Sequence, residues 1–171
     1  LIVVASANPE PRRGLIDRFL VSAFIEKIHP IIVVTKIDVA PIPEFMEKYA
    51  ALGVEIMTTS SKVADRPAQV AEISALLQNK VSVLVGHSGV GKSTLINDLV
   101  PEAERLTDDV NDVTGRGRHT SSSAVALALP SGGWIIDTPG IRAFGLAHRD
   151  PREIVEAFPD LAEVASTCMS H

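Results

Sequence analysis

The sequence has few of the features that mark secreted or membrane proteins. Its single cysteine, Cys168, excludes an internal disulfide and fits a reducing compartment. No apolar run approaches the ~18 residues needed to span a bilayer. No initiator Met and no basic leader with a cleavage site precede the first apolar run, so we expect no signal peptide. These absences predict a cytoplasmic protein without a membrane segment, truncated at its N terminus.

The chain also has fewer positively charged than negatively charged side chains. The chain has 16 Lys and Arg against 21 Asp and Glu, a formal net charge of −5. That balance argues against a nucleic-acid-binding surface that covers the whole molecule, so any contact with RNA must be local or made outside this chain. With 171 residues, 46% of them hydrophobic, the chain is long enough to bury one sizeable core. We therefore predict one globular unit, without internal repeats.

The pattern of apolar runs predicts an α/β fold. Four runs without polar alternation are typical of parallel strands covered on both faces: 1–7, 31–34, 54–57 and 81–85. Stretches with helical apolar spacing follow them, at 15–28, 43–52, 67–77 and 93–99. Two further apolar segments, 123–130 and 133–137, flank a Pro-Ser-Gly-Gly turn and predict a hairpin. The expected fold is a six-stranded, mostly parallel sheet with one antiparallel strand and helices in layers around it.

The most specific motif is a phosphate loop of the form G-x-x-x-x-G-K-[ST]. It comprises Gly86, His87, Ser88, Gly89, Val90, Gly91, Lys92 and Ser93. A buried strand precedes it and a helix follows, so backbone N–H groups and a helix N-terminus converge on one anion site. Lys92 would place its charge on the β- and γ-phosphates, and the Ser93 hydroxyl would ligate Mg²⁺, with Thr94 in a secondary role. An ordinary Gly-rich turn is the alternative interpretation.

A second motif, Asp-Thr-Pro-Gly, follows the last predicted strand. Its Asp137 would hold Mg²⁺ through water, and the N–H of Gly140 would reach the γ-phosphate. By itself this tetrapeptide is only a turn. Its place about 45 residues after a phosphate loop, at the carboxyl end of a strand, favours the nucleotide-binding interpretation.

A third motif, Thr-Lys-Ile-Asp after the second strand, is close to the Asn-Lys-x-Asp signature that reads guanine. The carboxylate of Asp38 can accept hydrogen bonds from both N1–H and N2–H₂ of guanine, which adenine does not offer. The stem of Lys36 can lie along the ring face, and Thr35 stands where Asn is usual, which weakens the contact to the opposite edge of the base. A surface Lys/Asp pair is the alternative. Three residues after the third strand match a small base-contacting loop: Ser60, Ser61 and Lys62.

The polar loop 115–123 lies between the phosphate-loop helix and the predicted hairpin. We expect Thr120 to complete the Mg²⁺ shell when GTP is bound. The residue after the second motif is Ile141, so the water-orienting Gln of many GTPases is absent. His119 is the candidate for that task, which makes it, with Lys92 and Thr120, a candidate catalytic residue. A solvated loop histidine is the alternative.

The order of these motifs is rotated. Ordinary GTPases place the phosphate loop first, whereas here Asp38 precedes Lys92. A circular permutation is tolerated because domain termini lie at the surface. With these motifs and the segments "PRRGLIDRFL", "GHSGVGKSTLIN", "GRGRHT" and "IIDTPGIRAFGL", the chain resembles the small-ribosomal-subunit-dependent GTPase A (RsgA) family over nearly its whole length.

The resemblance implies a P-loop NTPase fold and slow, Mg²⁺-dependent hydrolysis of GTP to GDP that the small ribosomal subunit stimulates. It also implies a role in late maturation of that subunit, contact with its rRNA, and a monomer without membrane contact. The implied domains are a permuted GTPase domain at 1–149 and the start of a helical zinc module at 150–171, without the family's N-terminal oligonucleotide-binding barrel.

The zinc module is incomplete in this chain. Cys168 and His171 are of the right ligand types, but two ligands do not fill a structural tetrahedral zinc site. Zinc is therefore expected only in the full-length protein.

Two other functions compete with the GTPase interpretation. One is a nucleotide-gated docking module that binds RNA or the ribosome and has little hydrolysis of its own. The other is a P-loop ATPase or kinase in which Thr-Lys-Ile-Asp occurs by chance. Comparing nucleotide turnover with and without small ribosomal subunits distinguishes the docking module from a GTPase. Competition between GTP and ATP for the site distinguishes an ATPase or kinase from a GTPase.

Overall fold

The computed structural model describes residues 1–103, 124–141 and 144–167. The chain divides into two compact units rather than the single unit expected from its length. The first contains Leu1–Pro11 and Ile31–Arg142, and the second contains Arg12–Pro30 and Ala143–His171. None of the helices in the described ranges is long and apolar enough to cross a membrane.

The first unit is built on a mixed six-stranded sheet. Its strands are β1 (Ile2–Ser6), β2 (Ile31–Thr35), β3 (Glu55–Thr59), β4 (Lys80–Val85), β5 (Val125–Ala128) and β6 (Gly133–Asp137). They lie in the order β3-β2-β1-β4-β6-β5. All neighbours are parallel except β5 and β6, which form the predicted antiparallel hairpin. The predicted sheet is therefore confirmed.

Three helices of the first unit are α2 (Met46–Ala51), α3 (Arg66–Leu77) and α4 (Lys92–Leu99). Apolar side chains of α3 and α4 pack in one cluster with side chains from the sheet, including Ile73, Leu95, Val33 and Ile135. At about 25 cal/mol per Å² of buried apolar area, such a cluster is the main stabilising contribution to the unit. It fixes α4 against the sheet and so fixes where the phosphate loop ends.

Helix α2 is shorter than the predicted 43–52. The N–H of Met46 donates to the Pro43 carbonyl at 3.0 Å, and that of Glu47 donates to Glu44 at 3.2 Å. These i to i−3 hydrogen bonds make a tighter turn that precedes the helix. Strand β3, in contrast, extends beyond the predicted Met57 because parallel pairing with β2 continues to Thr59 opposite Thr35.

The second unit contains α1 (Arg13–Ile25), α5 (Pro151–Glu156) and α6 (Pro159–Thr167). Aromatic contacts join its two chain segments: the rings of Phe19 and Phe144 are 4.9 Å apart, and those of Phe24 and Phe158 are 5.5 Å apart. Arg149 also pairs with Glu26.

Helix α1 ends three residues before the predicted Ile28. Lys27 adopts a left-handed φ of 54°, and its N–H donates to the Phe24 carbonyl while that of Ile28 donates to Ala23. Such a residue caps the last turn and stops the helix.

Candidate functional site

The carboxyl ends of the parallel strands meet at one edge of the sheet, and the motifs follow them there. The phosphate loop follows β4, the Thr-Lys-Ile-Asp segment begins at the end of β2, and Asp137 is the last residue of β6. Strands β2 and β3 lie on one side of β1 in the sheet, and β4, β6 and β5 lie on the other side. The strand order therefore changes direction between β1 and β4. Open α/β sheets bind ligands at such a change in strand order.

The phosphate loop has the geometry of an anion cradle. Its last glycine, Gly91, adopts φ 95° directly before α4, and no side chain of the described residues caps that helix. The first N–H groups of α4 therefore stay available to an anion, and the helix dipole adds to the attraction. Val90 is buried in the core cluster and anchors the loop to it.

A cleft of about 460 Å³ opens over this loop. The phosphate loop, the start of α4 and the segment from Asp137 to Gly140 line it, together with Lys36. Nine of the predicted site residues are brought together here: Lys36, Ser88, Gly89, Gly91, Lys92, Ser93, Thr94, Asp137 and Gly140. Of the other loop residues, Gly86 and His87 supply carbonyls to Lys92.

The ammonium group of Lys92 lies under the cleft. Its side chain is buried, with Nζ donating to the carbonyls of Gly86 at 3.1 Å and His87 at 3.2 Å. Burial lowers the pKa of Lys92, and the nearby Asp137 carboxylate partly offsets that shift. A buried cation held only by neutral carbonyls and one carboxylate is suited to receive the charge of a phosphate.

Asp137 faces Lys92 across the cleft. Burial raises the pKa of its carboxyl, while the charge of Lys92 and the N–H of Thr138 act in the opposite direction. The Oδ1 atom is buried and has no hydrogen-bond partner among the described residues. A divalent cation or its bound water would satisfy this oxygen. Together with the Ser93 hydroxyl, it forms an oxygen donor set that suits Mg²⁺.

The Asp-Thr-Pro-Gly segment lies against the phosphate loop. The hydroxyl of Thr138 donates to the Leu84 carbonyl at 2.5 Å, and the N–H of Ile141 donates to that of Gly86 at 3.0 Å. A Cβ on Gly140 would lie 3.0 Å from the Cα and backbone nitrogen of Ser88, so a side chain at this position would require one of the two segments to shift by a few tenths of an ångström. The segment is thus in direct contact with the loop that would hold the phosphates.

The residues predicted to read the base follow β2 and β3. Ser60 donates a hydrogen bond through its hydroxyl to the Asp38 carboxylate, and this bond is the main reason that the pKa of Asp38 is lowered. The same hydroxyl accepts from the N–H of Lys62 at 3.3 Å, and the N–H of Ser60 donates to Gln69 at 3.1 Å. The lowered pKa favours the charged form of the carboxylate, and the residue is exposed.

Thr35 and Lys36 connect this region to the phosphate loop. The Thr35 hydroxyl lies 2.6 Å from the Val90 carbonyl and 3.2 Å from that of Ala5. Lys36 has a left-handed φ of 59° and donates through Nζ to the Gly89 carbonyl at 2.8 Å. The side chain of Thr35, for which the sequence predicts a weakened contact to the base, is bonded to these backbone carbonyls, and its contact to the base stays a prediction.

Four other predicted site residues lie outside the described residues: His119, Thr120, Cys168 and His171. Their assignments stay predictions. Among the described residues no group of His, Cys, Asp and Glu has the clustering of a metal centre built from three such ligands.

Sequence reasoning missed two residues beside Ser60. Arg66 and Asp98 form an ion pair and line a small cavity there. No local pattern pairs them, because 32 residues separate them along the chain.

Comparison with known proteins agrees with this geometry. The model of the family described as RsgA GTPase matches residues 1–147. The chain belongs to the RsgA GTPase family. A small ribosomal subunit biogenesis GTPase RsgA of Shewanella oneidensis is 41% identical over 98% of this chain and 48% of its own length. One from Vibrio vulnificus is 36% identical, over 98% of this chain and 49% of its own.

Two solved structures of RsgA-type proteins share the fold. YloQ, described as a circularly permuted GTPase, is 31% identical with a TM-score of 0.66, covering 99% of this chain and 54% of that one. YjeQ from Thermotoga maritima is 28% identical with a TM-score of 0.65, covering 93% and 54%. The chain spans about half the length of the curated relatives it matches. The permuted α/β GTPase fold is thereby established, as the order of the motifs predicted.

Proposed function

We propose that this chain is the nucleotide-binding part of a protein that hydrolyses GTP to GDP and phosphate. The observation that carries the proposal is the convergence, at one sheet edge, of a buried Lys92, an Asp137 oxygen without a hydrogen-bond partner among the described residues, and an exposed Asp38 carboxylate bonded to Ser60. Each feature meets a different part of a magnesium-bound guanine nucleotide. Lys92 neutralises phosphate charge, Ser93 and Asp137 hold Mg²⁺, and Asp38 selects guanine.

Bound Mg²⁺ would draw charge from the β- and γ-phosphate oxygens. The chain itself would supply the N–H groups of the phosphate loop, the Lys92 ammonium group and the N–H of Gly140. With Ile141 in the place of a water-orienting side chain, we assign the positioning of water to His119 and completion of the metal shell to Thr120. Slow turnover by the isolated protein is expected, because the residue in the place of the usual water-orienting Gln is Ile141, whose side chain cannot hydrogen-bond to water.

We further propose that the full-length protein acts in small ribosomal subunit biogenesis, as the names of its relatives state for those proteins. In this proposal it is a monomer that contacts the subunit's rRNA. Residues 1–149 form its GTPase domain, and 150–171 begin a zinc-binding module to which Cys168 and His171 contribute. The formal net charge of −5 on this chain places the rRNA contacts locally or on the remaining length of the protein.

The test measures nucleotide turnover by the full-length protein with Mg²⁺. We expect GTP hydrolysis that ATP does not inhibit, that purified small subunits accelerate at least about tenfold, and that Lys92→Ala abolishes. Lys48→Ala, an exposed lysine on α2, is the matched control and should behave as wild type. Equal inhibition by ATP, or full turnover by Lys92→Ala, would contradict the proposal.

A further inference from the structure

The region predicted to bind guanine contains a second cavity, of about 80 Å³, in which two charged lining residues, Arg66 and Asp98, have no role in the assignments above. Thr35, Ser60 and Thr94 line it, together with Arg66 and Asp98. Ser60 connects the cavity to Asp38, because its hydroxyl donates to that carboxylate. A base held by Asp38 would therefore have this cavity as its next neighbour.

Thr35 does not supply a donor to the cavity. Its one hydroxyl hydrogen is directed to a backbone carbonyl, with that of Val90 at 2.6 Å as the closer acceptor. The side chain is also buried and shorter than the Asn of the usual signature, so it neither fills the space nor offers an N–H to a base. The donor for the second edge of guanine must come from elsewhere.

Arg66 has such donors. Its Nη2 atom lies 2.6 Å and 2.5 Å from the two Asp98 carboxylate oxygens, which anchors this end of the guanidinium group. The side chains are only 23% and 21% exposed, so the pair is partly shielded from water. The remaining N–H groups of Arg66 are not engaged by Asp98 and belong to a side chain that lines the cavity.

The chemistry of guanine matches this arrangement. Around its rim N2 and N1 carry donors, and O6 and N7, next in order, are acceptors. When Asp38 takes the two donors, the acceptor pair must meet a donor beyond Asp38. In DNA recognition, arginine or lysine to O6 and N7 is the most common specific contact to a guanine base, so the same pairing is chemically available here.

We propose that Arg66, oriented by Asp98, donates to the O6/N7 edge of the guanine base and is a specificity-determining residue of this chain. The inference rests on the proposed function and deepens it. Arg66 reads the acceptor edge, Asp38 reads the donor edge, and Asp98 is a positioning residue that acts through Arg66. The competing possibility is that the pair only ties α3 to α4.

Base analogues distinguish these possibilities in the full-length protein. The dissociation constants of GDP, 7-deaza-GDP, which lacks the N7 acceptor, and 6-thio-GDP, which has a weak acceptor at position 6, are measured for wild type and Arg66→Ala. We expect wild type to lose about tenfold in affinity toward at least one analogue. In Arg66→Ala, GDP should bind about tenfold more weakly and the analogue penalty should disappear.

Two further variants distinguish the loss of a contact to the base from a general loss of folding. Arg66→Lys retains a charge and should recover part of the GDP affinity, and Asp98→Asn should give a smaller loss of the same analogue penalty. Lys48→Ala, exposed on α2, should leave all ratios unchanged. A tie between α3 and α4 would lower affinity for all three nucleotides equally.

The proposal is overturned if wild type binds both analogues as well as GDP, or if Arg66→Ala keeps the wild-type ratios. Failure of the proposed function looks different, because wild type would then not prefer GDP over ADP. Preference for GDP with unchanged analogue ratios would overturn only the assignment of Arg66.

Discussion

At the scale of single residues, the proposed choice of base depends on the Asp38 carboxylate, whose charged form is favoured by its surroundings. The hydrogen bond from Ser60 lowers the pKa of Asp38, with a smaller contribution from the charge of Lys62. An ionised carboxylate accepts from two donors at once, which is what guanine N1–H and N2–H₂ require. The position of this carboxylate depends on the backbone turn at Lys36, two residues earlier. Lys36 has a left-handed φ, a conformation that costs about 1 kcal/mol in a residue other than glycine.

We predict that Asp38→Asn exchanges the preferred base. The amide presents a donor where the carboxylate had an oxygen, and xanthine presents a carbonyl where guanine has its amino group. GDP should bind about 10- to 100-fold more weakly and xanthosine diphosphate more tightly, as the loss of one hydrogen bond to a charged group, about 1.5–3 kcal/mol, would give. Titration with both nucleotides measures the exchange.

The matched control is Asp65→Asn, which makes the same change at an exposed residue whose side chain does not cap α3. It should leave both affinities unchanged. Wild-type binding of both nucleotides by Asp38→Asn would mean that another residue reads the base.

At the scale of elements, the decisive contact is between the end of β6 and the phosphate loop. Gly140 lies so close to Ser88 that a side chain would meet backbone rather than a movable side chain. The hydrogen bond from Ile141 to Gly86 holds the same segment from its other side. Two short stretches far apart in sequence thus form one wall of the cleft.

We predict that Gly140→Ala damages recognition of the γ-phosphate more than binding of the diphosphate. The added Cβ pushes the segment away from the loop, and the N–H of residue 140 moves with it. Affinity for a non-hydrolysable GTP analogue should fall about tenfold, while GDP affinity changes less than about threefold. Binding measured for both nucleotides gives the ratio.

Gly145→Ala is the control, since a Cβ at that position meets nothing within 4 Å. It should bind both nucleotides as wild type does. An unchanged ratio in Gly140→Ala would show that the segment does not sense the third phosphate.

At the scale of the whole molecule, the permuted order gives the sensing segment an unusual continuation. After Ile141 the chain passes directly into the second unit and, from Pro151 onward, into α5 and α6. In the usual motif order the chain would return to the sheet. The segment proposed to meet the γ-phosphate is therefore close in sequence to the C-terminal helices.

We predict that hydrogen exchange over residues 141–161 differs between the GDP form and the form with a GTP analogue in the full-length protein. One backbone hydrogen bond to the γ-phosphate and ordering near the metal support a coupling of about 1–3 kcal/mol. Affinity for small ribosomal subunits should then differ about 10- to 100-fold between the two forms. Equal protection and equal affinity would refute the coupling and leave nucleotide binding intact.

The sequence by itself determined the elements and their chemistry. The phosphate loop, the Asp-Thr-Pro-Gly segment and the Thr-Lys-Ile-Asp segment are contiguous motifs, and the apolar runs that precede them are short enough to be strands, so local order was sufficient to predict an α/β GTPase with permuted motifs. The hairpin of β5 and β6 was predictable for the same reason, because a turn signal lies between its strands.

Only the tertiary structure decided which residues of these motifs contact one another. It bonded Thr35 to the phosphate loop, it brought Gly140 against Ser88, and it paired Arg66 with Asp98 beside Ser60. Each of these contacts joins residues that lie far apart along the chain. Their distances depend on the order of the strands and on the packing of α3 and α4 on the sheet, which no local pattern of residues contains.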